Sequence, residues 1–239
     1  MLMDYHIHSN FSPDSKASVE QIIKTARSRG IESIIITDHY ELSNSLHDTK
    51  FDVNEYRKTM EKHCLPVGVE FGWDGKKEID IDLKQFDFVI LSYHNFDTPV
   101  NQKEYKKYLE NLFSIIKKFD SYHVLGHLDF PRRYHENYEA FSKKLFPLIE
   151  DIFKEIILNG KGIEVNTESM LKYGEPNPSI DILKIYKNSG GEFITIGSDA
   201  HKIENIGRNV KSALDLLKEI GFKYVSTLNS EWNMIKIDI

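Results

Sequence analysis

Short apolar runs rich in β-branched residues alternate with longer amphipathic segments along most of the chain. This alternation is typical of βα units around a parallel sheet. We predict strands at residues 3–8, 33–38, 67–71, 87–93, 123–127, 162–166 and 193–198. We predict helices at residues 18–30, 52–63, 103–118, 137–158, 179–189 and 209–220. Seven strands with intervening helices favour a closed or nearly closed α/β barrel, although an open doubly wound sheet has the same linear pattern.

The first predicted helix has well-marked ends. Ser18 is a favourable N-cap, and Gln21 follows it at the spacing of a capping box. Gly30 is a typical residue for the end of the helix. The boundaries of this first βα unit can therefore be read from the sequence with a physical reason for each.

The composition restricts the classes of function. The 239 residues are 40% hydrophobic, enough for one sizeable core, so we expect a single domain. The net charge of −6 provides no broad positive surface for a long nucleic acid or an anionic membrane. Cys64 is the only cysteine, which excludes an internal disulfide and fits a reducing compartment. There is no apolar leader segment or membrane-length apolar run, so we expect a cytoplasmic protein.

The motif DYHIHS at residues 4–9 places an acid and two histidines at every second position. In a β-strand, alternate side chains share one face, so Asp4, His6 and His8 are predicted to lie together. An isolated H-x-H pair is usually incidental. Either this face meets solvent or it forms a site.

Further polar residues at the carboxyl ends of the predicted strands favour a site. They comprise six of the ten histidines and two acids, namely His6, His8, His39, His94, His127, His201, Glu70 and Asp199. In parallel α/β folds, functional sites assemble at this end of the strands. Taken singly, TDH and SDAH can also be helix caps. Glu70 lies in an apolar strand, where a buried carboxylate without a cation costs several kcal/mol.

These residue types predict a metal centre. Imidazole and carboxylate ligands without thiolates suit Zn²⁺, Mn²⁺ or Fe²⁺. The set exceeds what one tetrahedral ion uses, so we expect more than one ion, with Glu70 as a possible bridge. The remaining histidines, which we interpret as surface or structural residues, are His47, His63, His123 and His135.

The order of these motifs resembles the PHP (polymerase and histidinol phosphatase) family. The motifs are DYHIHS at 4–9, TDH at 37–39, GVE at 68–70, SYH at 92–94, GHLD at 126–129 and SDAH at 198–201. Segments 126–134 and 163–201 resemble the histidinol-phosphate phosphatases of that family. The resemblance implies a distorted (β/α)₇ barrel and one metal-dependent phosphoesterase domain spanning residues 1–239.

The resemblance also implies three divalent ions and their ligands. One ion is expected to bind His6, His8, Glu70 and Asp199. A second is expected to share Glu70 and to add His94 and His127. The third is expected to bind Asp14, His39 and His201. The place of Asp14 rests on the resemblance, because the sequence around it is equally typical of a turn.

The implied reaction is hydrolysis of L-histidinol phosphate, a step of histidine biosynthesis, by a hydroxide that bridges metal ions. Glu70 is expected to bridge, and Asp199 or His201 to protonate the leaving alkoxide. Arg132, Arg133 and Arg208 are candidates for binding the phosphate, with a solvated surface arginine as the alternative for each. The competing functions are a PHP phosphoesterase acting on nucleotides, other small phosphate monoesters or nucleic-acid 3′ ends, and a noncatalytic PHP-like domain.

Overall fold

A parallel β-sheet with helices between its strands forms the centre of the protein. The computed structural model describes residues 1–43, 49–231 and 233–239. Its strands are β1 (Met3–Asp4), β2 (Ser33–Ile34), β3 (His39–Leu42), β4 (Gly68–Trp73), β5 (Phe88–Ser92), β6 (Val124–Leu125), β7 (Gly162–Asn166), β8 (Ile194–Gly197), β9 (Tyr224–Leu228) and β10 (Met234–Asp238). Its α-helices are α1 (Val19–Ser28), α2 (Val53–Lys62), α3 (Gln102–Ile116), α4 (Phe146–Leu158), α5 (Met170–Tyr173), α6 (Ile180–Asn188) and α7 (Val210–Ile220).

Backbone hydrogen bonds close the sheet into a barrel. Strands β3 to β8 pair in parallel in chain order, and β1 pairs in parallel with β2. The Tyr5 N–H donates to the Ile196 carbonyl (2.9 Å), which joins the β1 segment to β8. Ile36 bridges in parallel to Val67, which joins the β2 segment to β4. Since β2 and β3 lie along one stretch of chain, the described residues form a (β/α)₇ barrel and not an open sheet, as predicted.

The barrel is distorted because several of its strands pair over very short distances. β1 pairs with β2 over two residues, and β6 pairs with each neighbour over two residues. Every residue of β5, β7 and β8 is buried, because the faces of a parallel sheet are covered on both sides. Helix α1 buries one apolar stripe, and its predicted capping box between Ser18 and Gln21 is present.

One predicted helix boundary was wrong, and three strands were not predicted. Helix α4 begins at Phe146 and not at residue 137, because Tyr138 has a positive φ of 50° and Pro147 fits only the first helical turn. Strand β3 was not predicted; it begins at His39, directly after the predicted end of the second strand at residue 38. The antiparallel pair β9–β10 was not predicted; the Tyr5 hydroxyl accepts a hydrogen bond from the Leu228 N–H (3.1 Å) and so ties this pair to the barrel.

The helices in the described ranges are too short or too polar for a membrane-spanning segment.

Candidate metal centre

The predicted ligand residues converge at the carboxyl ends of the barrel strands. A cavity of about 1290 Å³ opens there. Its walls include seven of the nine predicted ligands, Asp14, His39, Glu70, His94, His127, Asp199 and His201. The other two, His6 and His8, are fully buried beside Glu70 and Asp199. The ring of strands therefore brings together side chains that lie up to 195 positions apart in the chain, such as His6 and His201.

Glu70 lies at the centre of the cluster. Its side chain is buried, and its two oxygens face two different groups of imidazoles. Oε2 is close to His39 Nδ1 (2.8 Å), His6 Nε2 (3.3 Å) and His8 Nε2 (3.6 Å). Oε1 is close to His127 Nε2 (3.0 Å) and His94 Nε2 (3.4 Å), and it accepts a hydrogen bond from the Ser92 hydroxyl (2.7 Å). One carboxylate thus connects the two halves of the cluster.

Asp199 is a second shared carboxylate, and its backbone is held in an uncommon conformation. Its φ of 55° lies in the left-handed region, which aspartate tolerates better than most residues. Oδ1 lies 3.2 Å from His8 Nε2 and 3.5 Å from His6 Nε2. Oδ2 accepts a hydrogen bond from Arg133 Nη1 (2.9 Å). The strained turn after β8 therefore aims this carboxylate at the histidines of β1.

Asp14 joins the cluster at the mouth of the cavity. Its Oδ2 lies 3.2 Å from His201 Nε2 and 3.5 Å from His39 Nε2, while its side chain stays 52% exposed. Burial raises the pKa of Asp14, but His201 and His39 outweigh this effect and hold that pKa well below its usual range. The structure therefore places Asp14 beside the two histidines with which the family resemblance grouped it.

Three sets of ligand atoms are close enough for each set to hold one ion. They are His8, His39 and His201; His6, His8 and Asp199; and Glu70, His94 and His127. Two pairs of imidazole nitrogens also face each other, His39 Nε2 with His201 Nε2 at 3.4 Å and His94 Nε2 with His127 Nε2 at 3.5 Å.

Several buried polar atoms of the cluster have no hydrogen-bond partner among the described residues. They are His6 Nε2, His39 Nδ1 and Glu70 Oε2. Buried polar groups are normally hydrogen-bonded, and these atoms point at one another. Cations between them would satisfy their lone pairs, so the donor set fits divalent metal ions.

The electrostatics of the cluster lead to the same conclusion. Burial lowers the pKa of His94, but Glu41 and Glu70 outweigh it and raise that pKa to about 10. Burial also opposes protonation of His6, yet the carboxylates beside it, Glu164 first, raise its pKa well above the usual range. Despite burial, the pKa of Glu70 is held far below its usual range by His6 and neighbouring imidazoles. Positive charge in the centre of the cluster therefore stabilises these carboxylates, and either protons on the histidines or metal ions can supply it.

Glu164 supports the cluster from behind and was missed by the sequence prediction. It is 1% exposed, and its Oε1 lies 2.5 Å from His6 Nδ1. Its Oε2 accepts the His127 backbone N–H (3.0 Å). A Cβ at Gly197 would collide with both His6 and Glu164, so only glycine permits this packing. A buried acid in an apolar strand was the signal that identified Glu70, and it is equally present at Glu164.

Glu41 plays the same part for the other half of the cluster and was also missed. Its Oε1 lies 2.6 Å from His94 Nδ1, and the side chain is 5% exposed. A Cβ at Gly72 would overlap its carboxylate. Glu41 lies in β3, the strand that the sequence did not predict. Carboxylates that bind the outer nitrogen of an imidazole fix its orientation toward a metal.

The three arginine candidates are placed differently. Arg133 lines the cavity, whereas Arg132 and Arg208 do not. Arg132 is 2% exposed and is held by Asp129 (3.0 Å) and Glu175 (2.6 Å). Arg208 donates from Nη1 to Asn205 Oδ1 (2.9 Å).

Other polar residues named from the sequence lie outside the cluster. Asp4 does not join His6 and His8, because it accepts hydrogen bonds from the Ser198 hydroxyl and from the Gly207 N–H. Three of the remaining histidines line no part of the cavity, namely His63, His123 and His135. His47 lies outside the described residues.

Comparisons with known proteins agree with this geometry. The model of the family described as PHP domain matches residues 4–168. A Thermotoga maritima protein described as a probable histidinol-phosphatase is 38% identical over 239 residues, covering 99% of this chain and all of that protein. The Lactococcus lactis histidinol-phosphatase is 27% identical over 99% of this chain and 96% of that protein.

A solved structure is also similar over its whole length. The crystal structure of histidinol phosphate phosphatase from Lactococcus lactis, complexed with zinc, L-histidinol and phosphate, has a TM-score of 0.82 to this chain. It is 25% identical in sequence, and the match covers 98% of this chain and 99% of that one.

Proposed function

The chain belongs to the PHP family, and from this premise we propose that it is a metal-dependent phosphatase that hydrolyses L-histidinol phosphate to L-histidinol and phosphate. The names of its relatives and the ligands of the Lactococcus lactis structure support this substrate. The observation that carries the proposal is the position of Glu70, whose two oxygens lie among the nitrogens of five histidines, His6, His8, His39, His94 and His127.

We propose further that residues 1–239 act as one catalytic domain. The family model ends at residue 168. Asp199 and His201 lie beyond it, yet both contact residues at the start of the chain: Asp199 contacts His8 (3.2 Å) and His201 contacts Asp14 (3.2 Å). A fragment that ended near residue 168 would lack these two ligands, so the later part of the chain belongs to the same site.

The proposed cofactors are three divalent ions. The first would be held by His6, His8, Glu70 and Asp199, and the second by Glu70, His94 and His127. The third would be held by Asp14, His39 and His201, with His8 nearby. A donor set rich in imidazole and free of thiolate suits zinc, manganese or iron, and the Lactococcus lactis protein contains zinc.

The side chains of the site have distinct tasks in this proposal. When bound, the divalent ions supply the positive charge that activates water and stabilises the transferring phosphoryl group. Glu164 and Glu41 hold the outer nitrogens of His6 and His94, so that the inner nitrogens face Glu70 at the centre of the cluster.

Two further tasks fall to residues at the cavity wall. Arg133 is pinned by Asp199 and by Asn166 (2.8 Å), which fixes its guanidinium for a phosphate oxygen. Protonation of the leaving alkoxide is assigned to Asp199 or His201, the two titratable residues that follow β8. Despite burial, His6 and Arg133 hold the pKa of Asp199 well below its usual range. Burial lowers the pKa of His201, but Asp14 and Asp199 outweigh it and raise that pKa, so His201 holds a proton more readily.

A phosphate-release panel with metal analysis tests the function. The panel comprises L-histidinol phosphate, nucleoside monophosphates, a sugar phosphate, an aryl phosphate and a 3′-phosphorylated oligonucleotide. We expect a kcat/KM for L-histidinol phosphate at least 100-fold above that for every other substrate. Faster hydrolysis of a nucleotide or of the oligonucleotide would show that this compound, and not L-histidinol phosphate, is the substrate. A metal-loaded protein without phosphatase activity would refute the enzymatic function.

A further inference from the structure

Glu168 is a carboxylate on the cavity wall that has no part in the metal cluster. It follows β7, and its backbone N–H donates to Asn166 Oδ1 (3.1 Å). Its side chain is 43% exposed and lines the cavity. Oε2 forms an ion pair with Arg133 Nη1 at 3.0 Å, whereas Oε1 has no hydrogen bond or ion pair to any described residue. Half of the carboxylate is therefore available to a ligand.

The position of Glu168 is defined by Arg133, which it shares with Asp199. The same Nη1 contacts Asp199 Oδ2 at 2.9 Å. Because both oxygens contact one nitrogen, they lie within about two hydrogen-bond lengths of each other. Glu168 is thus a negative group directly beside the proposed phosphate site.

A carboxylate at this place is unfavourable for a simple phosphate monoester. It repels a dianion, and it competes with the phosphate for Arg133. A substrate that carries a positive charge close to its ester oxygen offsets this cost. In a 2-aminoalkyl phosphate the ammonium nitrogen is three covalent bonds from that oxygen and so within about 4 Å of it.

Resting on the proposed function, we propose that Glu168 binds the ammonium group of the substrate through Oε1 and so selects aminoalkyl phosphates over uncharged alkyl, aryl and sugar phosphates. The rest of such a substrate meets an aromatic wall. Phe130 lies 5.3 Å from Tyr134, and Phe96 lies 4.9 Å from Tyr134 between ring centroids. All three rings line the cavity, and a planar ring can pack against them. Glu168 combines attraction of the correct substrate with repulsion of the wrong ones.

The test compares two substrates that differ only in the amino group, L-histidinol phosphate and 3-(imidazol-4-yl)propyl phosphate. We expect Glu168→Gln to raise the KM for L-histidinol phosphate by about 10- to 100-fold, the effect of losing one charge-assisted hydrogen bond. We expect kcat to change by less than about threefold, because the group does not contact the reacting atoms. For the analogue without the amino group, kcat/KM is expected to rise, because a repulsive charge has been removed.

Two further variants and one binding measurement complete the design. Glu168→Asp keeps the charge and shortens its reach, so we expect an intermediate loss confined to the amino substrate. Glu104→Gln removes another carboxylate of the cavity wall, whose Oε1 accepts the Asp97 N–H (2.7 Å), and is expected to affect both substrates alike. Calorimetry with L-histidinol and inorganic phosphate should show weaker L-histidinol binding to Glu168→Gln at unchanged metal content.

The outcomes separate this inference from the proposed function. An equal loss of kcat/KM for both substrates would show that Glu168 only positions Arg133, and an unchanged KM would show that the ammonium binds elsewhere. Either result overturns the inference while leaving the phosphatase intact. If the wild-type protein does not hydrolyse L-histidinol phosphate, the proposed function is wrong, and the inference about Glu168 is wrong with it.

Discussion

Replacing Glu70 with glutamine changes one atom of a buried side chain and should weaken metal binding at the centre of the cluster. The variant retains one carbonyl oxygen and gains an NH₂ group, which donates hydrogen bonds and does not bind metal. In the structure Oε1 faces His94 and His127, and Oε2 faces His6 and His39. Whichever way the amide is oriented, one half of the cluster loses its carboxylate oxygen, and the whole cluster loses its bridging charge.

The magnitude follows from the burial of Glu70, which is 1% exposed. Removing one partner of a buried, paired charge costs about 3–5 kcal/mol. This corresponds to a loss in metal affinity of about 10² to several times 10³. At a zinc concentration 100 times the wild-type Kd, the wild type gains about 2.7 kcal/mol of stability from binding, whereas a variant with a 100-fold weaker Kd gains about 0.4 kcal/mol.

Three measurements on the purified proteins test this expectation. Elemental analysis should find fewer metal ions per chain in Glu70→Gln, and phosphate release should fall below about 1% of the wild-type rate. Zinc should raise the thermal midpoint of the wild type but hardly that of the variant. Glu104→Gln, whose carboxylate lies on the cavity wall outside the cluster, should behave as wild type in all three. A Glu70→Gln protein with full metal content and normal turnover would refute the bridging role.

Three other predictions concern the metal ions, Glu164 and His123. Complete removal of metal by a chelator should abolish phosphate release, and added Zn²⁺ or Mn²⁺ should restore it; full activity in the chelated protein would contradict the proposed centre. Glu164→Gln should weaken metal binding or activity about 10- to 100-fold, because His6 loses the group that orients it; an unchanged zinc affinity would exclude this role. Burial and the nearby Lys161 lower the pKa of His123 from 6.5 to about 4. As the pH falls through this range, the unfolded chain binds a proton at His123 that the folded protein does not bind. The free energy of unfolding therefore decreases as the pH falls. The difference in unfolding free energy between wild type and His123→Gln should therefore change by about 2 kcal/mol from pH 7 to pH 4, after allowance for the partial exposure of the ring. If the unfolding free energies of the two proteins change with pH in parallel, this explanation is wrong.

The sequence by itself determined the local features and the position of most candidate ligands. Alternating apolar runs gave the order of strands and helices, and the capping box at Ser18 marked the start of α1. His6, His94 and Asp199 were singled out because they lie at the carboxyl ends of predicted strands, where sites of parallel α/β folds assemble, and Glu70 because a buried carboxylate is costly without a partner. The strand order and the helix cap were confirmed, because each rests on the residues immediately around it.

Only the tertiary structure decided how the strands close and which polar side chains meet. The linear pattern fits a barrel and an open sheet equally well, and the hydrogen bond from Tyr5 to Ile196 joins segments almost 200 residues apart. Arg132 and Arg133 are neighbours in sequence, yet one is locked between Asp129 and Glu175 and the other faces the cavity.

The two supporting carboxylates show the same limit. Glu164 lies in an apolar strand as Glu70 does, and Glu41 looks like an ordinary acid in the sequence, but only in the fold do Gly197 and Gly72 let these carboxylates approach the histidines. Local propensity depends on a residue's near neighbours in the chain, whereas these contacts depend on where distant segments pack, and packing is a property of the folded chain as a whole.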